Sequence, residues 1–125
     1  MTQGSPDHGA AAIDRSVLGE WLAGDDAAID ELLAVFRDSV RAEQTRMHET
    51  LAAGDLDEYA SAAHRLKGAA LSMGARALAE TAGTLYAAAR GKDETACGDG
   101  MAGLDIFVSL VVAEVPVASG SKDGA

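Results

Sequence analysis

The sequence predicts an all-α protein, and its composition and patterning support this class. Hydrophobic residues make up 48 % of the 125 residues but aromatic residues only 4 %. Alanine supplies much of the apolar fraction, and alanine forms helices well but packs sheets poorly. Apolar positions recur with helical spacing between glycine-containing breaks. We therefore expect one domain, an antiparallel up-down four-helix bundle with a short extra N-terminal helix.

Both ends of the chain lack helical periodicity. Residues 1–12 are rich in Gly, Ser and Pro, and residues 117–125 end in a similar polar stretch. Segments of this kind bury too little apolar surface to fold. We expect disordered tails at 1–12 and 117–125 around a helical domain at 13–116.

The first two helices are separated by Gly24 and two aspartates. The short first helix is predicted from Asp14 to Ala23, with Trp21 on its apolar stripe and in the core. Asp26 is predicted to cap the second helix, which runs over about 27–53 and ends at Gly54. Its apolar positions, Phe36 among them, keep helical spacing and are expected to be buried.

The third helix is predicted over 56–73 and begins with the pattern of a capping box. Asp55 would cap the helix and Glu58 would reach back to it. Gly74 ends the helix, either as a cap or as a site of close helix packing. Its core stripe consists of Tyr59, Ala62, Ala63, Leu66, Ala69, Ala70 and Met73.

The last two helices are predicted over 75–90 and 93–115. Gly91 ends the former and Pro116 follows the latter. The β-branched end of the last helix resembles a strand, but the sequence contains no second strand to pair with it. Gly98, Gly100 and Gly103 weaken its first turns.

Charge and composition exclude several functions. A net charge of −10 argues against nucleic acid or an anionic membrane as partner. Cys97 is the single cysteine, so an internal disulfide is excluded and a cysteine-based zinc site is not expected. We find no run of about 18 apolar residues, no secretory leader and no phosphate-binding loop for ATP. The expectation is a cytoplasmic monomer without a membrane span, metal site or cofactor.

His64 lies off the core stripe of the third helix. Lys67 and Gly68 follow it at i+3 and i+4, and Leu71 lies two turns on, so all four share one exposed face. A neutral imidazole has a free lone pair that can attack phosphorus, and Lys67 can meet the phosphoryl oxygens. Gly68 leaves room for a second protein to approach, and Leu71 can serve as a docking contact. The pattern indicates a phosphoryl-accepting histidine.

Less specific interpretations remain open for these residues. His-x-x-Lys occurs by chance on solvated helices, and only the added Gly68 and Gly74 make the pattern informative. His48 lacks a lysine or glycine at the matching offsets and is expected to be a half-exposed surface residue; His8 falls in the predicted tail. No Glu-x-x-His pair recurs on two helices, so a di-metal site is not predicted.

The stretch from His64 to Gly68, with Gly74 and Ala75 after it, resembles the histidine-containing phosphotransfer (HPt) domain family of phosphorelays. The resemblance extends over roughly 13–112. It implies that His64 is phosphorylated and that Lys67 and Gly68 flank it. It also implies that partners are receiver domains of response regulators and a hybrid or sensor histidine kinase. In that family, the receiver domain supplies Mg²⁺ and the accepting aspartate, and the carrier itself is not an enzyme.

One position departs from the family pattern. Many members carry a supporting glutamine about 22 positions after the histidine, where this chain has Tyr86. Its hydroxyl could make the same hydrogen bond, or its ring could simply pack. Two other functions stay open: a docking module that regulates a receiver domain or kinase without carrying phosphate, and a purely structural helical bundle.

Overall fold

The computed structural model describes residues 12–116, and this part of the chain is all-helical with no strand. Five helices follow one another: α1 Ser16–Leu22, α2 Asp26–Ala52, α3 Leu56–Ser72, α4 Arg76–Arg90 and α5 Glu94–Glu114. The all-α prediction is confirmed, and each predicted helix is found with ends within about two residues. Apart from Ala12, the predicted tails lie outside the described residues.

Three of the four long helices begin with the same local device. The carboxylates of Asp25, Asp55 and Asp93 each accept a hydrogen bond from the backbone N–H three residues later, at 3.1, 3.1 and 3.0 Å. Each satisfies one of the free N–H groups of a first helical turn. The cap of α2 is therefore Asp25, and the prediction of Asp26 was wrong by one residue.

The capping box at the start of α3 is only half formed. Asp55 caps the helix as predicted, but Glu58 does not reach back to it. Its carboxylate instead lies 3.4 Å from Arg46 on α2 and 3.6 Å from Arg65, which follows about two turns later on α3. Two guanidinium groups attract the carboxylate more strongly than one neutral N–H does.

The core runs through all the described helices. α2 packs against α3 and α5, and α4 packs against the same two helices. The predicted stripe of α3 is confirmed, with every member buried except Ala69, which is partly buried against the core. Phe36 is likewise half-buried against it.

Trp21 is not in the core, contrary to the sequence prediction. Its side chain is 80 % exposed, while Leu18 on the same short helix is buried. α1 has only seven residues and contacts α2 alone to any extent. A helix of two turns lying against one neighbour buries a single narrow stripe, which Leu18 fills.

Gly74 ends α3 as predicted, and it also allows a close approach, although to the segment before α1 and not to a helix. It follows the C-terminal end of α3 with a left-handed φ of 73°, and its carbonyl accepts a hydrogen bond from the Asp14 N–H at 3.0 Å. A β-carbon at this position would collide with the Asp14 backbone. Glycine is therefore required by conformation and by the close approach of the segment before α1.

α5 is the most apolar helix in the described part of the chain. By length and composition alone it is the one helix there that could cross a membrane: an 18-residue window has a mean hydropathy of 1.6, with 28 % of it buried. The sequence analysis expected no membrane span because it found no run of about 18 consecutive apolar residues. That criterion does not test the mean hydropathy of a window that includes polar residues. Core helices pass the same test, and α5 packs against α4 and α2. The expectation of no membrane partner stays a prediction.

Candidate functional site

His64 stands on the exposed side of α3, as the periodicity predicted. It is solvent-exposed, whereas Ala62, Ala63 and Leu66 around it are completely buried. In the described part of the chain, neither ring nitrogen of His64 has a hydrogen-bond partner. The side chain is therefore anchored by the buried face of its own helix, while its nitrogens face solvent.

Tyr86 on α4 packs against the histidine ring. The two ring centroids lie 5.4 Å apart with a tilt of 43° between their planes. This spacing is typical of favourable aromatic pairs. Since no hydrogen bond joins Tyr86 to His64 among the described residues, the structure favours the packing interpretation of Tyr86 over the hydrogen-bonding one.

Lys67 lies one turn beyond His64 and crosses toward α4. Its side chain passes over Gly83, where an added β-carbon would lie 3.6 Å from Cδ and 3.7 Å from both Cε and Nζ. Within the described residues no carboxylate lies within ion-pair distance of the Lys67 ammonium. The lysine that the sequence singled out is thus close to the histidine and not engaged by another charge.

Arg65, the residue after His64 on α3, is a cation that is engaged on the opposite side. Its Nε donates to Glu43 on α2 at 3.0 Å, and a second nitrogen lies 3.6 Å from Glu58. The hydrogen bond to Glu43 raises the pKa of Arg65 above its usual value. Because these two carboxylates neutralise it, Arg65 adds little net positive charge near His64.

Gly68 and Leu71 complete the exposed face. A β-carbon added at Gly68 would meet no atom of the described chain within 4 Å, and the Leu71 side chain is 53 % exposed. Gly100 on α5 differs, because a β-carbon there would lie 2.5 Å from Leu85 Cδ2. Internal packing therefore explains Gly100 but not Gly68, even though a glycine within a helix is unfavourable by about 1 kcal/mol.

An open groove of about 370 Å³ borders His64 between α3 and α4. Its lining contains Ser61, Arg65, Tyr86, Arg90, Ala60 and Asp57. At its far end Lys92 donates to Asp57 at 2.6 Å, and this hydrogen bond lowers the pKa of the Asp57 carboxyl. Arg90 was not anticipated from the sequence, because α4 carries it 26 residues after His64 and only the packing of two helices brings the two together.

His48 occupies a different environment between α2 and α5. Its Nε2 lies 2.8 and 3.1 Å from the two carboxylate oxygens of Asp105, and Gln44 donates to the same carboxylate at 2.8 Å. The side chain is 48 % exposed. The half-exposed surface position is confirmed, and one ring nitrogen is occupied by a carboxylate.

Cys97 is buried, and burial raises the pKa of its thiol. The neighbouring Tyr59 hydroxyl donates to the sulfur of Met101 at 3.2 Å. Over residues 12–116, no three His, Cys, Asp or Glu side chains are grouped so that they could hold a metal ion.

A comparison with protein-family models identifies the fold. The model described as the Hpt domain matches residues 31–114, which include α3, α4, α5 and most of α2. The chain belongs to this family. Hpt domains are histidine phosphotransfer modules of phosphorelays, and they interact with receiver domains and histidine kinases. Searches of curated proteins and of solved structures found no match.

The match leaves α1 outside its span, although Arg15 before that helix pairs with Asp30 at 2.9 Å. Gly83 is a second residue at this site, after Arg90, that the sequence did not predict. A single glycine within α4 carries no local signal of function, and only the tertiary structure shows that it lies beside the Lys67 side chain.

Proposed function

We propose that this Hpt domain carries a phosphoryl group on His64. The observation that supports the proposal is a combination on one helix face: within residues 12–116, His64 has free ring nitrogens, Lys67 at i+3 has no ion-pair partner, and Gly68 at i+4 is open. His48 lacks this combination, because Asp105 occupies its Nε2 and Leu51 and Ala52 stand at i+3 and i+4.

The transfer step uses the lone pair of one ring nitrogen of His64. A bond forms from that nitrogen to phosphorus as the bond from phosphorus to the aspartyl oxygen of a phosphorylated receiver domain breaks, and the aspartate leaves as a carboxylate. The reverse step passes the group to a second aspartate. Lys67 meets the phosphoryl oxygens and offsets their negative charge.

The partners of this reaction are receiver domains of response regulators and a hybrid or sensor histidine kinase. The receiver domain supplies Mg²⁺ and the acidic pocket, so this chain is a carrier and needs no cofactor of its own. Gly68 admits the partner's active site, and Leu71 provides an apolar contact two turns from His64. We also propose a cytoplasmic monomer with a domain spanning 13–116.

Paired contacts between neighbouring helices support an up-down arrangement of α2, α3 and α4. On α2 and α3, Glu43 pairs with Arg65 and Arg46 pairs with Glu58, so residue numbers rise on one helix as they fall on the other. On α3 and α4, His64 meets Tyr86 and Lys67 meets Gly83 in the same reversed order. Connections of three residues, 53–55, 73–75 and 91–93, suit antiparallel neighbours.

The decisive experiment is phosphoryl transfer from a radiolabelled, phosphorylated receiver domain. The native protein is compared with His64→Gln, and His48→Gln is the matched control. We expect acid-labile, base-stable label on the native protein and on His48→Gln, and none on His64→Gln.

Binding of the receiver domain should be measured in parallel. If the native protein binds several phosphorylated receiver domains but takes up no label from any of them, the carrier function is wrong and the protein is a docking-only module. Equal label on His64→Gln would show that His64 is not the acceptor.

A further inference from the structure

Gly83 lies beneath the side chain of Lys67. The lysine crosses from α3 to α4 with its last three atoms at ordinary contact distance, 3.6–3.7 Å, from where a β-carbon at residue 83 would stand. Gly83 does not have a left-handed φ, so its backbone conformation does not call for glycine. A glycine inside a helix also weakens it relative to alanine. A β-carbon at residue 83 would still fit at ordinary contact distance, so the lysine does not exclude alanine; what the glycine leaves out is a longer side chain beside the last atoms of Lys67.

Whether the Lys67 ammonium has an ion-pair partner depends on the same position. Arg65, two residues away on α3, has a carboxylate partner at 3.0 Å, whereas Lys67 has none among the described residues. The Lys67 ammonium lies 3.7 Å from the β-carbon position of residue 83. An acidic side chain there would come within ion-pair distance and engage the lysine much as Glu43 engages Arg65.

We propose that Gly83 is a positioning residue for the phosphoryl-transfer site. It provides a surface of bare backbone on which the apolar stem of Lys67 lies, and it keeps the ammonium free for phosphoryl oxygens. Gly83 thus acts through Lys67 and does not touch the phosphoryl group. This inference rests on the proposed function of His64.

The test compares two variants of nearly equal size, Gly83→Glu and Gly83→Gln. The rate constant of transfer from a phosphorylated receiver domain is measured for both, in the native background and in a Lys67→Ala background. With Lys67 present, the rate constant of Gly83→Glu should be roughly tenfold lower than that of Gly83→Gln. This is about the loss expected when Lys67 gives up a charge-assisted hydrogen bond to the phosphoryl group. Raising the salt concentration should narrow this difference, because an exposed ion pair is screened.

Without Lys67, the Glu and Gln variants should transfer at the same rate. Gly98→Glu adds the same charge on α5, where a β-carbon has open space, and should transfer at the native rate. Equal rates for Glu and Gln with Lys67 present would overturn the inference. A slower Glu variant in the Lys67→Ala background would also overturn it, since the added carboxylate would then be acting directly on the partner.

A second measurement tests the position of Lys67 without any transfer. In the native protein, nuclear Overhauser contacts are expected between the Gly83 Hα protons and the Lys67 Hδ and Hε protons. Their absence would overturn the inference even if His64 is phosphorylated. If these contacts are present but the protein takes up no phosphoryl label, the proposed function is contradicted, while the position of Lys67 over Gly83 is confirmed.

Discussion

The α3–α4 interface and the α2–α5 interface each carry an exposed histidine on a long helix. They differ in whether the ring nitrogens of that histidine are left free or are occupied. His64 packs against Tyr86 at 5.4 Å and keeps both nitrogens free among the described residues. His48 meets the Asp105 carboxylate at 2.8 Å, and Gln44 supports that carboxylate. An aromatic neighbour orients a histidine without occupying its nitrogens, whereas an acidic neighbour occupies one of them.

The same contrast separates the two cations that flank His64 on its own helix. Glu43 and Glu58 hold Arg65 toward α2, while Gly83 leaves Lys67 free above α4. A neutralised cation, Arg65, and a cation without an ion-pair partner among the described residues, Lys67, therefore lie two residues apart on α3. Reactivity at this surface depends on which contacts are left out as much as on which are made.

The largest expected effect comes from trying to make His48 replace His64. The His64→Gln, Asp105→Ala double variant releases His48 from its carboxylate but leaves Leu51 and Ala52 at the i+3 and i+4 positions. Since neither a cation nor an open glycine accompanies His48, we expect no label from a phosphorylated receiver domain. Label on this double variant would show that a free imidazole is sufficient, and would break the comparison.

Removing the free cation should be the next largest effect. Lys67→Ala should slow transfer by roughly tenfold to a hundredfold, because it deletes a charge-assisted contact to the phosphoryl oxygens. The free energy of unfolding should change by less than about 0.5 kcal/mol, as for most surface changes. Rates are measured by rapid quench and stability by urea titration.

Arg41→Ala is the control for Lys67→Ala. Arg41 is exposed on the face of α2 that carries Gln44 and His48, away from His64. The Arg41→Ala variant should accept the phosphoryl group at the native rate. Lys67 is half-buried at the surface, and gross destabilisation by Lys67→Ala would contradict that placement.

A stability change without a change in transfer is expected at the α2–α5 interface. Asp105→Asn weakens the contacts to His48 and Gln44 and should lower the free energy of unfolding by about 1 kcal/mol, a modest value because the side chains are half-exposed. Asp99→Asn on the exposed side of the same helix is the control for the change in charge. A slower transfer in Asp105→Asn would mean that the two interfaces are coupled.

The smallest effect is expected from Tyr86→Phe. The substitution keeps the ring that packs on His64 and removes only the hydroxyl, so transfer should stay within about twofold of the native rate. Tyr86→Ala removes the ring and should slow transfer more than Tyr86→Phe does. A tenfold loss in Tyr86→Phe would restore the hydrogen-bonding role of the tyrosine.

Much of the fold could be predicted from local patterns. Aspartates before helices, glycines after them and the apolar period of α3 located every element within about two residues, because caps and amphipathic stripes are properties of neighbouring residues. The cap of α2 was misplaced locally by one residue, but the other errors came where distant residues compete. Trp21 is exposed because α1 has too little to pack against, and Glu58 left its capping role for Arg46 and Arg65.

The sequence by itself determined the helical class and placed His64, Lys67, Gly68 and Leu71 on one exposed face, because residues three and four apart share a side of any α-helix. Only the tertiary structure decided which charges are free. Whether Arg65 or Lys67 is neutralised, whether Tyr86 packs or bonds, and that Gly83 lies under the lysine all depend on how α2 and α4 lie beside α3. Those contacts join residues 16 to 22 positions apart, and helical periodicity carries no information about them.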